Sequence, residues 1–457
     1  MKFLIINPPI REWAKPNAFP LGLGYIASIM LESGHCVEVL DINAQRYSPD
    51  QVEGLIINSE FDAVGIGAIV TVYGYVKWLA GMIKKYRPEI PIIAGGSVAT
   101  SIPKILLEKT DVDIACIGEG EETIKELARA LEDGTDLKKV RGIWFKDADG
   151  SITATEKRLP IKNLDKLPFP AWDLFPMDIY LENPIGALNL DKWKDGSGQH
   201  TTELSMNLIA NRGCPYRCIY CYHDFLGHGF RSRSPESVIS EIKHLNNKYG
   251  VTYVHFVDDE FVGRRRFVLE FCRQMREADL GITWGCSGRV NLMSEELIRS
   301  MVEAGCVLIG YGIESGSQKI LDILKKGVTV DQAKHAVRLT QKYLGWADCS
   351  FMIGTPGETR ETINETINFC KELNLAPEVI FFITPYPGTE LYERALREGK
   401  IDDEEQYLLS LGEQGEQILI NFTDFSNEEL IKIQHDMIKE LKAQNIQKHN
   451  STGVIKS

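Results

Sequence analysis

Cys214, Cys218 and Cys221 lie in the run NRGCPYRCIYCYHD, spaced C-x3-C-x2-C. Three thiolates on one loop can hold three irons of a [4Fe–4S] cube and leave the fourth iron without a protein ligand. An open coordination site is where a metal centre does chemistry rather than only holding a fold, as three-ligand zinc sites show by analogy. The same residues could instead be a zinc knuckle or scattered buried thiols. A zinc site wants a fourth Cys or His at short spacing, and His223 is the only nearby candidate.

The bulk numbers bound what can surround this loop. At 457 residues the chain is too long for one ordinary core, which favours two or three domains. The composition, 44% hydrophobic and 25% charged with 39 Gly and 19 Pro, is that of a globular protein with many loops. A net charge of −13 argues against nucleic acid as the main partner, because a phosphate-binding surface needs a basic face. No window approaches the ~20 consecutive apolar residues of a membrane span. The start, MKFLIINPPIREW, reads as a first strand rather than a signal peptide. Ten Cys without a signal peptide fit a reducing cytoplasm. Cys36, Cys116, Cys272, Cys286, Cys306, Cys349 and Cys370 sit among apolar neighbours and read as small buried hydrophobes.

Residues 1–145 alternate strand-like runs (KFLIINPP, CVEVLDIN, AVGIGAIV, IPIIAGGS, VDIACIGEG) with helical spacing at Leu23 to Glu32, Val72 to Tyr86 and Glu121 to Leu131. Such alternation predicts an α/β fold with a doubly wound, Rossmann-like parallel sheet. Ligands of such sheets sit beyond the carboxyl ends of the strands, where the glycine-bearing turns Gly65/Gly67, Gly95/Gly96 and Gly118/Gly120 fall. Residues 146–203 change character: KDADGS reads as a hairpin tip, KLPFPAWDLFPMDIY is rich in Pro and aromatics, and ENPIGALNLDKWKDGSGQH is polar and irregular. They form the expected connector. From 204 to 390 alternation returns, with strands at MNLIAN, YVHFVDD, TWGCSGR, VLIGYGIE, CSFMIGT and VIFFITP and a helix over Pro235 to Tyr249. Six such units predict a partial, TIM-like (β/α)6 barrel with its chemistry at the strand carboxyl ends. Residues 391–457 read as a helical, charged extension with a frayed end.

The triad, with Tyr220 before its third Cys, resembles the radical S-adenosylmethionine (SAM) superfamily, in which the open iron chelates the amino and carboxylate groups of SAM. The resemblance extends along the strand ends. It implies that Asp258, Asp259 and Glu260 face the methionyl ammonium, that Ser287 and Arg289 face the SAM carboxylate, and that Glu314 and Ser315 in GIESGS meet ribose hydroxyls. FMIGTPGET, with Gly354 and Glu358, resembles the family's adenine-side turn. Tyr222, His223, Asp224 and Phe225 would line or support that pocket.

The amino-terminal part looks like the cobalamin-binding domain of the B12-dependent radical SAM class. The likeness rests on NPP near the start, FPLGLGYIASIML, the AGG turn and GEGEET. The residues it implies at the corrin are Leu21 and Gly22; Gly67, Ala68, Ile69, Val70 and Thr71; Gly95 and Gly96; and Gly118, Glu119, Gly120 and Glu121. Glu119 and Glu121 also open a helix, where acids are favoured by the dipole alone. The D-x-H-x-x-G motif that supplies a histidine to cobalt is absent, and His35 in SGHCVEV reads as a turn residue. A corrin held here would have no histidine below the cobalt; the turn AIVTVY (Ala68 to Tyr73) would face it instead. The sheet could also be retained as scaffold without corrin.

Together these resemblances imply a cobalamin-dependent radical SAM methyltransferase with a [4Fe–4S] cluster, SAM and cobalamin. One SAM would methylate cob(I)alamin, and a second, cleaved reductively, would give a 5′-deoxyadenosyl radical that activates an unactivated carbon. The same architecture also performs cyclisation or rearrangement without methyl transfer. A methylthiotransferase would carry three more cluster cysteines in its amino-terminal domain, whereas only Cys36 and Cys116 precede Cys214. A corrinoid carrier or sensor leaves the triad without a purpose. The acceptor, a peptide or protein side chain or a small molecule, is not legible. Selectivity is expected in residues 150 to 200 and in the tail from about 390, because appendages on a rigid scaffold usually carry it. The chemistry implies an electron donor such as ferredoxin or flavodoxin.

Overall fold

The computed structural model describes the chain except residues 12–15, 17, 183–203, 223–228, 413–414, 416 and 452–457, and for 445–451 it describes the backbone alone. His223, Asp224, Phe225 and the segment ENPIGALNLDKWKDGSGQH past its first residue, Glu182, therefore lie outside the described residues.

Seven strands form the first sheet: β1 (Lys2–Asn7), β2 (Cys36–Asp41), β3 (Ala63–Gly67), β4 (Ile92–Gly95), β5 (Ile114–Cys116), β6 (Ile143–Lys146) and β7 (Ile152–Ala154), in the order β2-β1-β3-β4-β5-β6-β7. The pairs from β2 to β5 are parallel, as the strand–helix alternation predicts. β6 and β7 add an antiparallel edge that the periodicity did not show. Its turn is KDADGS, closed by Asp147 N–H donating to the Ser151 carbonyl at 2.8 Å. Phe3, Ile5, Ile93 and Ile114 of the sheet pack with Ala27, Ile29, Ile124 and Leu127 of the helices Leu21–Glu32 and Glu121–Asp133. Strands buried on both faces read as continuous apolar runs, which is why KFLII was legible.

The remaining strands are β8 (Ser205–Leu208), a short antiparallel pair β9 (Asn211–Arg212) and β10 (Arg231–Ser232), β11 (Tyr253–Phe256), β12 (Thr283–Ser287), β13 (Cys306–Glu314), β14 (Asp348–Ile353) and β15 (Phe381–Phe382). A six-stranded sheet follows the order β15-β14-β13-β12-β11-β8, the succession of a half-barrel, and the pairs from β12 to β15 are parallel. The helix Pro235–Tyr249 has the ends its sequence encodes: Ser234 caps the Ser237 N–H, Pro235 occupies the first turn, and Gly250 turns left-handed at φ 71°.

By contacts the chain divides into two compact units. The first comprises Met1–Gly213, Tyr222–His255 and Ile401–Gly412; the second comprises Cys214–Cys221, Phe256–Lys400 and Glu413–Ser457. The first unit thus recruits a late helix, Glu404–Ser410, whose Glu405 accepts from Tyr73 at 3.1 Å and from Lys77 at 2.5 Å. Among the described residues no helix is long and apolar enough to cross a membrane.

In the second unit, the turn after β14 is closed by its own acid. Glu358 accepts the N–H groups of Gly354 at 2.5 Å and Thr355 at 3.1 Å. Burial nevertheless pushes its carboxyl up to about 7, the two N–H donors opposing. The folded carboxyl therefore keeps its proton up to about pH 7, while the unfolded one releases it near 4.5. Its contribution to stability is present at low pH and is lost as pH rises through that window. E358Q keeps an acceptor and has no proton to lose. Between pH ~5 and ~8 wild type should lose stability relative to E358Q, read as a widening gap in urea midpoints; parallel profiles would contradict the assignment.

Candidate active site

The cysteine loop belongs to the second unit and is anchored by the residue between its last two thiols. Ile219 is buried against Ile320, Leu324, Ile383 and Leu391, with Tyr220 packed on the same cluster. Its N–H donates to the Leu324 carbonyl at 3.1 Å and its carbonyl accepts from Leu391 N–H at 2.9 Å. The loop turns on itself through Cys221 N–H to the Cys218 carbonyl, 3.2 Å. Cys218 is buried, while Cys214 and Cys221 are part-exposed.

Cys218 is the most acidic of the three thiols. A hydrogen bond from Cys221 holds it down to about 5; burial opposes this, and the cations Lys326 and Arg289 reinforce it. Cys221, the donor in that bond, is held well above the ordinary thiol range, and burial raises Cys214. Thiolates on a cube go to three different irons and need not converge on one point. Among the described residues no three His, Cys, Asp or Glu side chains converge on a single ion position. Three thiols on one short loop are a donor set that would suit a cube with one open iron.

Strand ends in the same unit carry the polar groups expected around SAM. Arg289, buried just past β12, stacks its guanidinium 3.5 Å from the Tyr216 ring centroid and donates to Cys218 Sγ at 3.7 Å. Glu314 ends β13 in the left-handed region at φ 69°. Its Oε1 accepts from Tyr220 Oη at 2.9 Å and from Lys326 Nζ at 2.7 Å. Asp258 and Glu260 are buried and Asp259 is exposed. Burial pushes Glu260 up to about 7, opposed by the Val262 N–H at 3.0 Å and by Arg289. Ser287 is exposed at the end of β12, in register with Gly310. Ser315 is turned inward: its hydroxyl pairs with Thr366 Oγ1 at 3.0 Å and accepts from Ser317 N–H at 3.1 Å. Gly354 takes φ 85° in the Glu358 turn.

In the first unit the residues expected at a corrin gather at the carboxyl ends of β3, β4 and β5. Gly96, at φ 86°, brings its backbone so close to the Ala68 carbonyl that a Cβ would stand 2.3 Å from that oxygen. Ala68 N–H donates to the Gly95 carbonyl at 3.1 Å, and Val70 N–H to Ser97 Oγ at 3.0 Å. A Cβ on Gly95 or on Gly22 would meet nothing within 4 Å, and Ile69 is 41% exposed. These strand ends leave open, partly apolar space in which a planar macrocycle could lie. Gly67 is packed against Leu23, and Thr71 lies part-exposed in the same turn. Leu21 and Gly22 are positioned from behind by Phe19, whose backbone exchanges two hydrogen bonds with Asn207 (2.9 and 3.1 Å) and whose ring packs on Trp172 and Phe175. His35 stands at the opposite, amino-terminal edge, against Phe3.

Glu119 and Glu121 follow β5, but their carboxylates are engaged within the unit. Arg212 donates to Glu119 at 3.1 Å and to Glu121 at 2.6 Å. Arg231 adds a contact to Glu119 at 2.8 Å, and Ile161 N–H another at 2.6 Å. The same turn presents the backbone of Gly118, at φ 75°, and of Gly120. Sequence reasoning missed Lys326, Tyr216, Arg212 and Arg231. The two arginines flank the cysteine loop in the chain, RGCPYRC and GFRSR, and that clustering of cations was the available signal.

Known proteins match the two parts of the chain separately. A family model described as the B12 binding domain matches residues 10–128, and one described as the radical SAM superfamily matches residues 208–370. The chain is 32% identical over 404 residues to an uncharacterized methyltransferase of Pyrococcus horikoshii, an alignment covering 87% of this chain and 83% of that one. It is 27% identical over 417 residues to the anaerobic magnesium-protoporphyrin IX monomethyl ester cyclase of Rubrivivax gelatinosus, covering 89% and 72%. In fold it is similar to the solved radical S-adenosylmethionine methyltransferase TsrM from Kitasatospora setae, with a TM-score of 0.70 at 19% identity over 87% of this chain and 75% of that one.

Two neighbouring glycines separate folding from binding. Gly95→Ala should fold with an unchanged urea midpoint and bind hydroxocobalamin ~10-fold or more weakly, because the methyl group fills the open face. Gly96→Ala should cost ~2 kcal/mol or more of stability through its left-handed backbone and the Ala68 contact. Unchanged cobalamin affinity in a folded Gly95→Ala protein, read by absorbance titration, would contradict this placement of the corrin face.

Proposed function

The chain belongs to the cobalamin-dependent radical SAM methyltransferase family, and from that premise we propose that it moves a methyl group from SAM, by way of the corrin, to an unactivated carbon of a peptide or protein side chain or of a small molecule. The observation that carries the reading is the coexistence, in one chain, of a three-thiol loop flanked by Arg289 and Lys326 with an open glycine-lined strand-end face in a B12-type sheet. When bound, the cube supplies the electron that cleaves SAM and the corrin carries the methyl group.

The protein's own residues bind and orient. Cys214, Cys218 and Cys221 would hold the cube. Arg289, fixed on Tyr216, would present its charge to the SAM carboxylate. Asp258 and Glu260 offer acceptors to an ammonium group, and the approach of that cation would favour the ionised form of Glu260, its proton passing to solvent. Glu314 would accept from ribose hydroxyls, while Ser315, whose hydroxyl already bonds Thr366 and Ser317, would shape the turn from within. In the first unit the backbone of Gly95, Gly96, Gly118 and Gly120, with Leu21, Gly22 and the turn from Gly67 to Thr71, would receive the corrin without a histidine. A low-potential donor such as ferredoxin or flavodoxin would serve as reductant, and ten free thiols suit a reducing, cytoplasmic setting.

The second reading, cyclisation without methyl transfer, is favoured by the likeness to the Rubrivivax cyclase. One experiment separates the two: anaerobic incubation with reductant, hydroxocobalamin and SAM bearing a CD3 methyl, followed by mass spectrometry of corrinoid and nucleosides. The proposal predicts CD3 on the protein-bound corrinoid together with S-adenosylhomocysteine. Formation of 5′-deoxyadenosine with neither product would contradict methyl transfer and leave the cyclase reading.

A further inference from the structure

Lys326 lies in no motif that the sequence singles out, yet it meets three parts of the second unit's site at once. It sits in the turn Lys325-Lys326-Gly327, between the helices Gln318–Ile323 and Val330–Leu344. Left-handed backbone at Lys325 (φ 51°) and Gly327 (φ 67°) and a 2.9 Å bond from Lys326 N–H to the Leu321 carbonyl fix that turn. The side chain is buried, and a buried ammonium must be paired.

Its partners form a closed ring. Lys326 Nζ donates to Glu314 Oε1 at 2.7 Å and to Tyr220 Oη at 3.1 Å, and Tyr220 Oη donates to the same Glu314 oxygen at 2.9 Å. Tyr220 belongs to the cysteine loop; Glu314 closes β13. From the other end of the residue, the Lys326 carbonyl accepts from Arg289 Nη2, while Arg289 Nη1 reaches Cys218 Sγ. Glu314 is held in a left-handed conformation that is strained for a non-glycine residue, and such strain persists only where the surroundings over-determine it. Gly312 leaves room for the ring, since a Cβ there would stand 2.4 Å from Glu314 Oε1 and 3.1 Å from Lys326 Nζ.

We infer that Lys326 is a positioning residue that sets Glu314, Tyr220 and Arg289 in their SAM-binding places before SAM arrives, and so joins the cysteine loop to the strand ends that grip SAM. The inference rests on the radical SAM reading of this site. Lys326 itself touches no reacting atom; it acts through Glu314 and Arg289.

The test is a double-mutant cycle on the reconstituted full chain, with iron and sulfide content measured first and SAM affinity then measured by equilibrium dialysis. K326M should retain the cube and bind SAM ~10- to 100-fold more weakly, the scale of hydrogen bonds to a charged group. E314Q should weaken SAM comparably, and K326M in the E314Q background should add little, because the two substitutions remove one arrangement. The electron paramagnetic resonance spectrum of reduced K326M should also respond less to SAM than that of wild type. If K326M does not retain the cube, K326Q carries the same comparison. SAM affinity unchanged in K326M, or effects of K326M and E314Q that simply add, would overturn the role of Lys326 while leaving the functional reading intact. A reconstituted wild type that holds no cube would overturn both.

Discussion

Three thiolates on one short loop concentrate negative charge that a protein interior tolerates only when cations stand close and are themselves held. Arg289 and Lys326 meet that requirement in the second unit, and neither is free to drift. Arg289 is pinned between the Tyr216 ring, Cys218 Sγ and the Lys326 carbonyl; Lys326 is pinned by Glu314 and Tyr220. Glu314 and Arg289 are also the strand-end groups suited to the ribose and carboxylate of SAM. One charged network therefore joins the cysteine loop to the strand ends, and the same groups would suit an anionic and hydroxyl-bearing ligand.

The first unit meets a different constraint, that of bringing backbone close to a broad flat ligand. It does so with glycine where side chains would intrude and with ion pairs where the turns need holding. Gly96 allows the β4 turn to lie against Ala68, which shapes the face, whereas Gly95 leaves it open. Arg212 and Arg231 tie down the acids after β5. The Arg212 contact also links the glycine turn to the strand that runs directly into the cysteine loop, since only Gly213 separates Arg212 from Cys214. A buried pair of this kind is weak evidence of added stability.

Much of this was legible from local pattern. The thiol spacing, the apolar runs of the parallel strands, the glycine turns and the capped helix Pro235–Tyr249 are each written in a few adjacent residues. What was not legible depends on residues far apart in the chain. Arg212 meets Glu119 across 93 positions, and Glu405 meets Tyr73 across 332. Glu119 and Glu121 look like ligand residues in GEGEET because an acid at a helix start is locally favoured, and nothing local reveals that arginines occupy them. Lys326 escaped for the same reason: KKG reads as an exposed turn, and only the barrel-like succession of strands places it beside Glu314. The antiparallel edge β6–β7 showed only through its turn, KDADGS, because two short strands carry too little period to distinguish from a connector.

Cys214, Cys218 and Cys221 would hold a cube whose fourth iron is left for SAM. The direct measurement is Mössbauer spectroscopy of the anaerobic, 57Fe-reconstituted protein with and without SAM. One iron in four should take on a distinct, higher-coordinate signal when SAM is added, with the other three unchanged. Four irons that ignore SAM, or a protein that cannot assemble a four-iron cluster through these thiols, would contradict the account.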